Sequence, residues 1–366
     1  MATILRKTIA AGNRIRVLVV DDSVVIRRLV THALEEEPTL EVVGFASNGS
    51  IALARIPQLN PDVITLDIEM PEMDGLEMLR QLRKQYPLVR VVMFSTLTER
   101  GADMTLQALA LGADDYVAKA SNVGSLDRSM ARLRAELVPK IKQFFSLAGC
   151  APPVTKTVAT PIATVSQAPV QALALKRKVL AIGVSTGGPN ALSAIIPEFP
   201  PDFPLPILIV QHMPPLFTRL LAERLQAFTP LHVEEAAEGT AVTAGKILIA
   251  PGDYHMQVRN GGAQTVVALD QSPPENSCRP AVDVLFRSVA EVYGGAAVSA
   301  ILTGMGQDGL RGTEALKAKG AYVIAQDEAS SVVWGMPGAV VGAGLADRVV
   351  PLSTIVPEIL KQIGRQ

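Results

Sequence analysis

The chain has 366 residues, 48% of them hydrophobic and 19% charged, with a net charge of −1; that supplies apolar material for two cores and excludes a charged face built to hold nucleic acid or an anionic membrane. Aromatic residues are only 4%, which argues against base-stacking surfaces, and the two cysteines, Cys150 and Cys278, form neither a disulfide framework nor a zinc spacing. No apolar run reaches the length of a membrane span, and MATILRKTIAAGN lacks a signal-peptide core, so residues 1–14 read as a disordered lead and a reducing, cytoplasmic location is expected.

From Arg16 the chain alternates. RVLVVDD is an apolar strand ending in two acids, and Ser23 is a good N-cap for the helical spacing of VVIRRLVTHAL. Strands VVGFAS, DVITLDI, RVVMFS and DDYVAK then alternate with helices SIALARIPQL, GLEMLRQLRKQ and DMTLQALALG, and a last helix runs over about 125–145. Five βα units predict a doubly wound parallel sheet over residues 15–145. Its polar residues collect at strand ends, where open α/β sheets bind ligands: Asp21 and Asp22, Asp67, Ser95 with Thr96, and Lys119. Clustered carboxylates call for a cation, and hard oxygen ligands suit Mg²⁺. A carboxylate beside Mg²⁺, a hydroxyl and a lysine is placed to accept a phosphoryl group.

VVDDS, TLDIEMPEMDG, Ser95 and Lys119, in that order, resemble a response-regulator receiver domain, a flavodoxin-like fold. The resemblance implies Asp67 as phospho-acceptor, Mg²⁺ held by Asp21, Asp22, Asp67 and the backbone carbonyl of Glu69, Ser95 as the switch hydroxyl and Lys119 as the phosphate contact. Thr96 takes the switch role if the strand ends one residue later. Ala120 departs from the proline usual after the lysine.

Residues 146–175 are rich in Ala, Pro, Thr, Val and Gln with the single charge of Lys156 within APPVTKTVATPIATVSQAPVQALAL, the composition of a flexible linker. A second α/β domain is expected over residues 176–366. VLAIGVSTGGP places Ser185 between a strand and a helix, with Gly183 and Gly187 in a G-x-S-x-G pattern. PLPILIVQHMP is a strand ending at His212, and a helix follows. Four β-like runs over 232–270 read as a β-rich insertion, and AAVSAILTGMGQDG is a strand leading to Asp308.

Ser185, His212 and Asp308 each follow a buried strand, so neighbouring strands would bring nucleophile, base and orienting carboxylate to one edge. The N–H groups of Thr186 or of the Gly304–Gly306 loop are candidate oxyanion donors. The order Ser–His–Asp differs from that of α/β-hydrolases. His255, inside the insertion, is a competing base that reads better as a supporting residue. Residues 304–309 also satisfy G-x-G-x-x-G with Asp327 downstream, but a carboxylate at Asp308 would repel a pyrophosphate and too little chain follows for a dinucleotide fold.

The combination of receiver, linker, GVSTGGP, QHMP, APGDYHM, RPAVDVLF, LTGMGQDG and VVWGMPGAV resembles the chemotaxis-type protein-glutamate methylesterases of the CheB family, from about Arg16 onward. That resemblance implies a Rossmann-like catalytic domain that demethylates glutamate γ-methyl esters on methyl-accepting chemoreceptors, releases methanol and deamidates receptor glutamines. It implies the triad Ser185, His212 and Asp308, with Met305 N–H as an oxyanion donor and Thr186 beside the nucleophile. It also implies a histidine kinase as phosphodonor, no cofactor for the ester reaction, no nucleic acid and no membrane insertion. Cys278 stands where the family more usually has histidine, and a change at the rim of the cleft is expected there.

Overall fold

Strand runs without polar interruption are buried on both faces, as parallel sheets require. The computed structural model, which describes residues 7–119, 126–147 and 176–365, arranges them in two α/β domains. The first contains β1 (Lys7–Ile9), β2 (Ile15–Val20), α1 (Val24–Glu35), β3 (Leu40–Ala46), α2 (Gly49–Leu59), β4 (Val63–Asp67), α3 (Gly75–Gln85), β5 (Arg90–Ser95), α4 (Glu99–Ala110), β6 (Asp115–Ala118), α5 (Leu126–Lys142) and β7 (Phe145–Leu147). Its parallel sheet has the order β3-β2-β4-β5-β6. Ser23, Asn48, Asp74 and Thr98 cap the first four helices, each accepting the N–H three residues on.

The second domain contains β8 (Val179–Val184), α6 (Gly188–Ile195), β9 (Ile207–Gln211), α7 (Phe217–Gln226), β10 (His232–Glu235), β11 (Lys246–Ile249), β12 (His255–Asn260), β13 (Thr265–Asp270), α8 (Val282–Tyr293), β14 (Ala297–Ile301), α9 (Leu310–Ala318), β15 (Tyr322–Gln326), α10 (Met336–Gly342), β16 (Arg348–Val350) and α11 (Ile355–Gln362). Seven strands form one sheet, β10-β11-β9-β8-β14-β15-β16, every neighbouring pair parallel. The strand order reverses between β8 and β14, the point where such sheets open a crevice.

Three expectations are corrected. The lead is not wholly irregular: Lys7–Ile9 pairs in parallel with Phe145–Leu147, Ile9 is buried against the first domain's core, and Lys7 Nζ lies 2.6 Å from Asp62. Three residues are too few to show a period, so only the packing reveals this strand. The same pairing stops the last helix at Lys142 and moves the end of the first domain past residue 145. The stretch 232–270 is not all insertion, because β11 and, outside it, the half-polar edge strand β10 extend the main sheet, and only the antiparallel β12–β13 hairpin stands apart. The expected linker from residue 148 onward and Ala120 lie outside the described residues. Among the described residues no helix is long and apolar enough to cross a membrane.

Candidate functional site

β9, β8 and β14 are neighbours, so His212, Ser185 and Asp308, in the loops after their carboxyl ends, converge at the crevice. A cavity of about 230 Å³ there is lined by all three. The chain can turn from β8 into α6 because Gly187, at φ +78°, caps the helix in a conformation that side chains avoid. Gly304 lets its loop approach the nucleophile, since a Cβ there would fall 2.8 Å from Ser185 Cβ.

Asp308 is buried at the N-terminus of α8. Its carboxylate accepts the N–H of Val282 at 2.6 Å and of Asp283 at 3.1 Å, the Asn276 amide at 2.9 Å, and the imidazole of His212, Nε2···Oδ2 2.7 Å. Burial alone would raise its pKa; the bond and charge of His212 and the α8 N–H groups outweigh this and hold it below the usual carboxylate range. Burial alone would lower the pKa of His212. The Asp308 bond, then the contact and charge of Cys278, outweigh that and push His212 up to about 10. Its other ring nitrogen, Nδ1, lies 3.6 Å from Cys278 Sγ. Among the described hydrogen bonds none joins Ser185 Oγ to His212.

Met305 is 39% exposed on the cavity wall, and its N–H donates to no described backbone acceptor. Thr186 is buried, and its hydroxyl donates to two side chains of the first domain, Asp115 at 3.0 Å and Gln143 at 3.3 Å. The first domain therefore forms one wall of the cavity, with Leu109, Tyr116 and Lys140 also lining it. Tyr116 stacks on Phe217 of α7 at 5.0 Å between centroids, and Asn190 of α6 donates to Leu109 O at 2.7 Å. His255 is fully buried: Nδ1 accepts Ala281 N–H at 3.2 Å and Nε2 lies 3.2 Å from Pro273 O. It ties the hairpin to α8, the supporting place expected of it. Asp327 caps a turn by accepting Ser330 N–H and Oγ–H, and the G-x-G-x-x-G loop is the one that carries Asp308 to His212.

At the carboxyl end of the first sheet, Asp21, Asp22 and Asp67 offer oxygens within 4.8 Å of one another. Lys119 Nζ lies 2.7 Å from Asp67 and 3.0 Å from Asp21. Burial foremost raises Asp67, Lys119 opposes it and the Asp21 charge adds to it, so the carboxyl is pushed up to about 6. Crowded, half-compensated carboxylates of this kind fit a divalent cation. The Glu69 carboxylate points elsewhere, 3.4 Å from Arg100. β5 ends at Ser95, which is buried, while Thr96 is exposed. Ser95 Oγ donates to Gly101 O in the first turn of α4 at 2.9 Å.

A family model described as CheB methylesterase matches residues 180–359, and one described as response regulator receiver domain matches residues 17–131. The protein-glutamate methylesterase/protein-glutamine glutaminase of Trichodesmium erythraeum is 50% identical over 355 residues, covering 96% of this chain and 99% of that one. The protein of the same description from Nocardioides sp. is 52% identical over 353 residues and covers 96% of each. The chain belongs to the CheB methylesterase family. The crystal structure of the Thermotoga maritima CheB methylesterase catalytic domain is also similar, at 45% identity over 51% of this chain and 98% of that one, with a TM-score of 0.49.

The receiver-side wall of the cavity was not legible from the family's motifs. Asp115, Gln143 and Lys140 carry no motif; only the placement of β6 and of α5 with the residue after it brings Asp115 and Gln143 to Thr186 and Lys140 to the cavity wall. Asn276 and Asp283, which support Asp308, were also missed; a short side chain three residues ahead of the RPAVDVLF helix was the available signal. Cys278 sits deeper than the rim, against the ring of His212.

Proposed function

We propose that this chain is a phosphorylation-regulated hydrolase that demethylates glutamate γ-methyl esters on chemoreceptors and deamidates receptor glutamines, with a histidine kinase supplying phosphate to Asp67. The observation that carries the reading is the convergence of His212, Ser185 and Asp308 from three adjacent strands on a cavity walled on one side by a receiver domain. The methylesterase and glutaminase relatives, at about half identity across the chain, agree with it.

Because Asp308 holds Nε2, the base is Nδ1 of His212. Ser185 Oγ attacks the ester carbon while its proton passes to Nδ1, and the Met305 N–H faces the developing oxyanion. Collapse expels methanol, which leaves with the proton from Nδ1; ammonia leaves in the same way from an amide. Water, deprotonated by His212, then releases the glutamate carboxylate and restores Ser185. Asp308 keeps Nε2 protonated and stabilises the imidazolium.

The switch would run along α4. Ser95 Oγ bonds the first turn of this helix, and Leu109 O at its last turn accepts from Asn190 of the catalytic domain. A phosphoryl group on Asp67 would draw Ser95 from Gly101 and loosen the contact at the far end. Mg²⁺, held by Asp21, Asp22 and Asp67, would supply charge neutralisation for the transfer. The deciding experiment is methanol release from methyl-labelled receptor membranes, with and without a small phosphodonor. Release that rises with phosphodonor is expected; hydrolysis of generic esters without release from receptors would assign another acyl substrate.

The acidic cluster makes a second, separate expectation. A carboxyl raised from 3.8 to about 6 in the fold binds its proton more tightly there than in the unfolded chain. Its contribution to stability therefore falls as pH rises across that window and stays low at neutral pH. Asp67→Asn is expected to raise the melting temperature at pH 7 by a few degrees. Mg²⁺ is expected to raise that of the wild type and not of the variant. Equal Mg²⁺ shifts in both proteins would place the ion elsewhere.

A further inference from the structure

The nitrogen of His212 that must accept the Ser185 proton, Nδ1, has a thiol as its partner in this structure, with Cys278 Sγ at 3.6 Å. Cys278, His212 and Asp308 thus form in the docked state the chain of contacts that Ser185, His212 and Asp308 need during the reaction. We propose that Cys278 is a positioning residue for the catalytic base: its sulfur holds Nδ1 of His212, and it sets the pH above which His212 can deprotonate Ser185. This rests on His212 being the base.

The loop that carries Cys278 is built for that placement. Asn276 at φ 52° and Ser277 at φ 63° both adopt the left-handed conformation that side chains avoid, and this turns the thiol toward the ring. Glu275 and Cys278 close the turn through two backbone bonds of 2.8 and 3.1 Å, and both Glu275 oxygens are held by Arg287 at 2.7 and 2.6 Å. Asn276 of the same loop donates to Asp308. One short segment therefore grips both ends of the histidine–aspartate pair.

As a thiolate the sulfur accepts from Nδ1–H and so favours the imidazolium, which is the arrangement assigned to the pair here. The other ionisable groups near the ring are Asp308 on Nε2, Asp283 of α8 behind it, and Asp115 and Lys140 from the receiver across the cavity. Among the described residues only Cys278 meets Nδ1 within hydrogen-bond distance. Removing its sulfur leaves Asp308 in place and withdraws one source of stabilisation from the imidazolium, so the base becomes neutral at lower pH.

The test uses the full chain as wild type, Cys278→Ala and Cys278→Ser. Methanol release from methyl-labelled receptor membranes with phosphodonor is followed over about pH 5 to 10, with kcat and KM separated. In Cys278→Ala the acidic limb is expected to move down by about one pH unit, giving roughly tenfold faster turnover well below the limb with KM little changed. Cys278→Ser is expected to keep the fold and move the limb in the same direction. A limb that stays at the wild-type pH in both variants overturns the proposal, including when activity falls at every pH, which is the mark of a structural role alone. An inactive wild type sinks the activity reading instead. The imidazole signal of His212, titrated by NMR in the same three proteins, then decides: a lower midpoint in Cys278→Ala sustains the proposal and an unchanged one overturns it.

Discussion

Ser185→Ala is expected to lower methanol release by about a thousandfold or more, with the melting temperature unchanged. The size follows from the position of the hydroxyl. The Ser185 backbone is fully used, its N–H on Thr303 O at 3.0 Å and its C=O accepting from Gly188 N–H at 2.8 Å and from the Gln211 amide at 3.0 Å. Those bonds hold the turn whatever side chain it carries. The hydroxyl is half-buried on the cavity wall and enters none of the described hydrogen bonds, so its loss removes reactivity and little stability. What remains in the variant is the oxyanion N–H and an oriented base without a nucleophile. A fall of less than about tenfold would mean that another group attacks the ester, and the Cys278 thiol against His212 would be the first to examine.

The expected neighbourhood of three strands is observed, and the reason it could be read is general: apolar runs identify buried parallel strands, and ligands gather where such strands end. Ser185, His212, Asp308, Asp67 and Lys119 all sit at such ends, so pattern alone places them near one another. What escaped the reading is whatever depends on how two surfaces meet. Asp115 stands at the first residue of its strand, the end opposite the acidic cluster, and looks like a solvated loop acid until Thr186 is placed against it. Lys7–Ile9 as a strand, and the place of the β-like runs β10 and β11 in the main sheet, escaped for another reason. Short strands take their identity from the edge that receives them, and no local period announces that edge.

Cys278 shows a third limit. A substitution at a loop position can be noted from sequence, but which nitrogen of His212 it touches depends on the two left-handed residues before it and on Asp308 already occupying Nε2. The chemistry of the site is thus partly set by backbone conformation that residue identity does not announce, since neither Asn276 nor Ser277 is a glycine.

Deleting residues 1–150 is expected to raise the unphosphorylated rate by about tenfold or more, and to abolish any response to phosphodonor. The interface that would be lost joins apolar packing of α4 against α6 and α7 to the Tyr116–Phe217 stack, the Thr186 hydroxyl on Asp115 and Gln143, and the Asn190–Leu109 bond. The ion pair of Arg219 and Glu99 at 2.7 Å is exposed and adds little. An assembly of this kind separates at a cost of a few kcal/mol, which a single phosphoryl group can supply through a displaced helix. Were the docked form nine-tenths of the population, opening could gain no more than about tenfold, so the measured rise reads the docked fraction directly. Asp115→Ala in the full chain should give a smaller rise and keep the phosphodonor response, because it removes one of the two acceptors for Thr186 and leaves the stack and α4 in place. Activity that falls on deletion would mean that the receiver completes the site, and the docked arrangement would then be the working form of the enzyme.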